Sequence, residues 1–104
     1  LYAATAFNSV FGKAVCLSPS LWLGAGKARR IIRQAEISPD TLVYMDYGGQ
    51  EMANHAANLS ALTSCTSALL QKGVDLTFRI APGGTHSEAS WERQIPVFMK
   101  CLGF

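Results

Sequence analysis

The sequence predicts an α/β fold in which three parallel strands are flanked by helices. Three observations carry this. Short apolar runs recur at Lys13–Leu17 (KAVCL), Thr41–Met45 (TLVYM) and Val74–Ala81 (VDLTFRIA). Helical stretches alternate with them. Turn residues separate the two kinds of segment: Gly12, Ser18-Pro19-Ser20, Ser38-Pro39-Asp40, Gly48-Gly49 and Gly73. Strands that alternate with helices pair in parallel, because each crossover helix returns the chain to the same end of the sheet.

The elements follow in order. Leu1, Ala3, Ala4 and Ala6 favour a helix over Leu1–Val10, with Gly12 as its C-terminal glycine. KAVCL lacks alternation, which predicts a strand at 13–17 buried on both faces. A charged helix is predicted over Lys27–Ala35, with Ile31 and Ile32 as its apolar face. The second buried strand is predicted at 41–46, ended by Asp46 and the Gly48-Gly49 pair. A long amphipathic helix over Met52–Lys72 follows, with Ala56, Leu59, Leu62 and Leu69 on one stripe and Gly73 as cap. The third strand, 74–81, alternates: Val74, Leu76, Phe78 and Ile80 point one way, and Asp75, Thr77 and Arg79 the other. That pattern predicts a place near an open sheet edge. In the last segment, Glu88–Leu102, the residues Trp91, Ile95, Phe98 and Leu102 share a face, and Pro96 should kink or restart the helix.

Composition sets the class. Of 104 residues, 49% are apolar and 15% charged, which fits a folded domain and excludes a disordered one. The net charge of +2 is small. Its one cluster, Lys27, Arg29, Arg30 and Arg33, reads as a solvated helix face and not as a nucleic-acid footprint. Cys16, Cys65 and Cys101 are odd in number and far apart, so neither a zinc site nor a disulfide framework is expected. No metal or cofactor is implied, and reduced thiols point to the cytoplasm. Residues 1–26 carry a single charge, Lys13, but Asn8, Ser9, Gly12, Pro19 and Ser20 interrupt the stretch, so no membrane segment or signal peptide is expected. The start at Leu1, within an apolar run, predicts a fragment whose first residue falls inside a helix.

In open parallel sheets, ligands meet the loops at the carboxyl ends of the strands. Here those loops are Ser18–Leu23, Asp46–Met52 and Pro82–Ser90. A carboxylate after one strand, Asp46 or Glu51, and a histidine after the next, His86, form the back half of a nucleophile–base–acid relay. The order acid then histidine is that of the α/β-hydrolases. Blander readings stand beside this. His86 can be an ordinary loop residue, Asp46 can accept turn N–H bonds, Glu51 can favour a helix N-terminus, and Trp91 can be core. Gly24-Ala25-Gly26-Lys27 lacks the glycine spacing and the Ser/Thr of a phosphate loop and reads as a linker. His55 belongs to no metal set and reads as an exposed helical residue.

The stretch Pro82-Gly83-Gly84-Thr85-His86-Ser87-Glu88-Ala89-Ser90-Trp91, with Arg93, Pro96 and Phe98, resembles the histidine loop and last helix of an esterase family within the α/β-hydrolases. That family includes enterochelin- and siderophore-type esterases and relatives of esterase D. Leu42–Glu51 (LVYMDYGGQE) is similar to its penultimate strand and acid loop, and Leu1-Tyr2-Ala3-Ala4 to the helix after its nucleophile elbow. The resemblance implies that residues 1–104 are the C-terminal portion of one α/β-hydrolase domain. It implies His86 as general base, Glu51 as the better match to the acid, and Asp46 as the reserve acid. No G-x-S-x-G elbow occurs in the sequence: Ser18 and Ser20 lack the glycines, and Ser87 and Ser90 have no elbow around them. The resemblance therefore implies a nucleophilic serine outside this chain, a carboxylic ester or thioester as substrate, and an inactive fragment. Two alternatives remain open. One is acyl transfer on the same scaffold. The other is a noncatalytic module that self-associates through the edge of its first strand.

Overall fold

The computed structural model describes residues 1–21, 26–51 and 55–104, apart from the side chain of His55. The described elements are α1 (Tyr2–Ala6), β1 (Lys13–Leu17), α2 (Lys27–Gln34), β2 (Leu42–Gly48), α3 (His55–Gln71), β3 (Asp75–Ala81), α4 (Glu88–Glu92) and α5 (Ile95–Cys101). The strands form one parallel sheet in the order β1-β2-β3. The protein is thus a small α/β domain with a three-stranded parallel sheet flanked by helices.

Register sorts the side chains onto two faces. Ala14 and Cys16 align with Val43 and Met45, and these with Leu76 and Phe78. This face packs on α2 and α3, where Ile32, Leu62, Cys65, Ala68 and Leu69 close a core with Val43, Met45, Tyr47 and Val74. Removing a leucine or isoleucine side chain of that size from water contributes about 1.5–3 kcal/mol, so Ile32, Leu62 and Leu69, each at 1% exposure or below, are the anchors. The opposite face carries Val15, Leu17, Tyr44, Asp46, Thr77 and Arg79 by the same register. There α5 packs Phe98 against Tyr44, with ring centroids 5.9 Å apart.

Several expectations need correction. β2 begins one residue later than predicted and runs to Gly48, and β3 begins at Asp75. β1 is not buried on both faces. Its outer side has no strand partner among the described residues, and Val15 is 37% exposed. β3 does lie at an edge, but Phe78 and Ile80 stay substantially exposed, because the core cluster on their face ends at Leu76. Helix α1 stops at Ala6, well short of Gly12. The Thr5 hydroxyl donates to the carbonyls of Leu1 and Tyr2, and the Asn8 amide donates to the Ala4 carbonyl and to Thr41 Oγ1, so side chains take over the helical acceptors. On α3 the buried stripe is Leu62, Cys65, Thr66, Ala68 and Leu69, while Ala56 is exposed. The predicted start of that helix, 52–54, lies outside the described residues, as do Gly24 and Ala25 of the predicted linker.

The end of α3 follows the sequence closely. Gly73 takes φ +76°, its N–H bonds to the Leu70 carbonyl, and the Val74 N–H bonds to the Leu69 carbonyl. This paired closure is available to a glycine because a Cβ disfavours the left-handed region. The last segment is two helices, and Pro96 occupies the first turn of α5, where its missing N–H costs nothing. No described helix is long and apolar enough to cross a membrane.

Candidate active site

The carboxyl ends of β2 and β3 are drawn together by glycines. A Cβ on Gly48 would lie 2.4 Å from the Gly84 carbonyl oxygen, and one on Gly84 would lie 3.0 Å from the Gly48 Cα. Only two residues without side chains permit this approach. Backbone bonds lock it: Gly49 N–H to Ala81 O at 2.9 Å and Gln50 N–H to Gly84 O at 2.8 Å. The loop after β2 is thereby folded over the loop after β3.

That fold-over brings Glu51 to His86. Glu51 Oε2 lies 3.0 Å from His86 Nδ1, with the carboxylate side chain 5% exposed and the imidazole 45% exposed. The other carboxylate oxygen, Oε1, accepts the Gly48 N–H at 3.1 Å and the hydroxyl of Ser18. A buried carboxylate needs such donors, since an unpaired charge out of water is costly. Glu51 has them from three directions.

His86 sits on a braced loop. Ser87 is the N-cap of α4 and accepts from the Ser90 N–H. Thr85 N–H donates to Ser90 Oγ at 2.9 Å, Thr85 Oγ1 is within 2.8 Å of Ser87 Oγ, and Arg93 Nη2 donates to Ser90 Oγ at 3.1 Å. The residues on both sides of His86 are therefore fixed. The Trp91 ring meets the imidazole edge-to-face at 5.1 Å and 87°. No described group bonds Nε2, and the imidazole as a whole is about half exposed.

Asp46 is placed differently. It is 1% exposed on the α5 face of β2, and its Oδ2 accepts the Tyr44 hydroxyl at 2.8 Å. Burial raises its pKa above the usual carboxylate range. Its hydrogen bonds from Tyr44 and the Ser18 backbone, and the nearby Arg79 guanidinium, pull it partly back. Burial and the Asp46 carboxylate push Tyr44 up to about 12. Arg79 Nη1 bonds Gln94 Oε1 at 2.8 Å. Of the two candidate carboxylates, the one in contact with His86 is Glu51; β2 ends only at Gly48, so the side chain at 46 still belongs to the strand.

Sequence reasoning missed Ser18. It set the residue aside for want of flanking glycines, yet Ser18 lies at the tip of β1 with its hydroxyl on Glu51 and the Trp91 indole N–H on its oxygen at 3.3 Å. The available signal was the loop itself, since Ser18 opens the first of the three strand-end loops. The His55 side chain lies outside the described residues. A groove of about 450 Å³ between α2 and α3, lined by Arg29, Arg33, Ser60, Thr63, Ser64 and Ser67, includes none of the residues around His86. Cys16, Cys65 and Cys101 are free thiols, and burial pushes the first two up in pKa. No group of three or more His, Cys, Asp or Glu suited to a metal lies among the described residues.

An imidazole held at Nδ1 by a buried carboxylate, with Nε2 open, can accept a proton at Nε2 and keep the resulting charge paired. Compared with known proteins, the chain matches no protein-family model, no curated protein and no solved structure.

Proposed function

We propose that Glu51 and His86 are the acid and base of a serine ester hydrolase with the α/β-hydrolase fold, and that its nucleophilic serine comes from sequence outside residues 1–104. The supporting observation is the 3.0 Å contact of Glu51 Oε2 with His86 Nδ1, with Nε2 unoccupied among the described residues. In this reading Nε2 removes the serine proton as the serine oxygen attacks the ester carbonyl. The same proton goes to the departing alkoxide, leaving an acyl-enzyme. Water, deprotonated at Nε2, then attacks the acyl carbon, and the serine leaves with the proton restored. Glu51 holds the Nδ1–H tautomer and balances the imidazolium charge in both halves. The substrate class is a small carboxylic ester or thioester. The unpaired thiols fit a cytoplasmic setting.

In the full-length protein, His86→Ala abolishes hydrolysis of a p-nitrophenyl ester. Activity within a few-fold of wild type defeats the reading, as does turnover by residues 1–104 alone. A second reading draws on the outer side of β1, which has no strand partner among the described residues and where Val15 is partly exposed. There the chain is a noncatalytic module that self-associates edge to edge. A monodisperse monomer by light scattering removes that reading. Acyl transfer to an alcohol or thiol differs from hydrolysis only in the acceptor, and product analysis with an added alcohol separates them.

A further inference from the structure

We propose that Ser18 and Trp91 are positioning residues for the Glu51–His86 pair, an assignment that rests on the acid–base reading of that pair. The contacts form a closed ring. The Ser18 hydroxyl donates to Glu51 Oε1, Glu51 Oε2 meets His86 Nδ1, the His86 ring lies edge-on to Trp91, and Trp91 Nε1–H donates back to Ser18 Oγ. Its members come from all three strand ends: Ser18 from β1, Glu51 from the loop after β2, and His86 and Trp91 from the loop and helix after β3.

The ring has a direction that decides the roles. Ser18 uses its one hydrogen on the carboxylate and accepts the indole N–H on its oxygen, so its hydroxyl is committed on both sides. It is 5% exposed, and its hydroxyl bonds Glu51 and Trp91 and not the imidazole. The nucleophile of the proposed relay needs an open oxygen with the imidazole on its proton, and Ser18 has neither. What its hydroxyl does is hold Oε1 so that Oε2 faces Nδ1. Trp91 acts on both neighbours, fixing the Ser18 hydroxyl through its N–H and the imidazole plane through its ring edge.

The backbone supports the assignment. Ser18 has φ +46°, and it is the one non-glycine residue with positive φ among the described residues. A side chain there is strained, and such strain persists where surroundings require it. Nothing about the turn itself calls for serine, since glycine adopts this φ freely. The hydroxyl is the reason for the side chain.

Glycine therefore gives the cleanest test. Ser18→Gly removes the hydroxyl while relaxing the backbone, and Trp91→Phe keeps a ring beside His86 while removing the N–H. Both are made in the full-length protein. Each lowers kcat about 10-fold with KM within about twofold of wild type, as loss of orientation does. The double variant is no worse than the poorer single one, because both break the same clamp. A long-range ¹H–¹⁵N spectrum in alkaline buffer shows His86 as the Nδ1–H tautomer in wild type and as a tautomer mixture in each variant. An unchanged Nδ1–H tautomer in either variant, or a loss carried by KM, overturns the proposal. If His86→Ala leaves hydrolysis intact, the acid–base reading fails by itself, and the tautomer pattern still reports whether Ser18 and Trp91 hold the pair.

Discussion

The two ends of the sheet use polar side chains in opposite ways. At the amino end they finish on backbone or on neutral groups. Lys13 Nζ donates to the Leu102 carbonyl at 2.8 Å and lies 4.4 Å over the Phe104 ring. Asn8 donates to the Ala4 carbonyl and to Thr41 Oγ1, and its Oδ1 accepts the Ser38 N–H at 2.8 Å. At the carboxyl end an ionisable pair, Glu51 and His86, lies at the centre of a set of side-chain bonds with one member reaching solvent. Bonds to backbone fix where the chain goes. Bonds between ionisable groups fix protonation states. The first end is tied down by backbone and neutral partners, and the second carries the ionisable pair.

Substitutions can break or sharpen that contrast. After the loss in His86→Ala, the largest effect is expected from Glu51→Ala, which lowers kcat/KM of the full-length protein roughly 100-fold by freeing the His86 tautomer. Asp46→Ala changes kcat/KM far less. A greater loss at Asp46, measured with the same ester, would reassign the acid. Next is Gly48→Ala, whose Cβ would collide with the Gly84 carbonyl. Overpacking of that kind costs about 1–3 kcal/mol, read as a lowered denaturation midpoint, and it separates the two loops, so activity falls too. An unaltered midpoint would show that the loops do not depend on the close approach.

Asn8→Ala should behave in the opposite sense. It removes the partner of the buried Thr41 hydroxyl, at a cost of about 1–2 kcal/mol, while water can replace the acceptor of the exposed Ser38 N–H. In urea melts stability drops, while the tautomer of His86 is unaffected. A changed His86 signal would erase the division between the two ends. The smallest effect is a pH dependence. Burial raises Asp46, so the folded chain holds this proton to higher pH than the unfolded chain does. The stabilising contribution is complete below the unfolded carboxyl value of about 3.9 and is lost as pH rises through the raised folded value. Asp46→Asn should flatten the fall in melting temperature across that window. A steeper fall in the variant would contradict the sign.

The reach of sequence reasoning follows the same divide. KAVCL matches the bounds of β1, Ile31 and Ile32 are the apolar face expected for α2, of which Ile32 is buried, and Gly73 is the expected cap of α3, because each is a local consequence of residue type. The fate of Asn8 was not legible, since its partner Thr41 is distant in sequence. Nor was the exposure of Val15 and Phe78, which depends on how far neighbouring elements extend.

By itself the sequence determined an alternating α/β chain with parallel strands, and it put a histidine and two carboxylates in loops at one end of the sheet. Only the tertiary structure put Glu51, and not Asp46, in contact with His86 and brought Ser18 and Trp91 to the pair. Periodicity and turn chemistry act over a few residues, whereas the approach of Gly48 to Gly84 depends on two backbones meeting across the sheet, which no local pattern encodes.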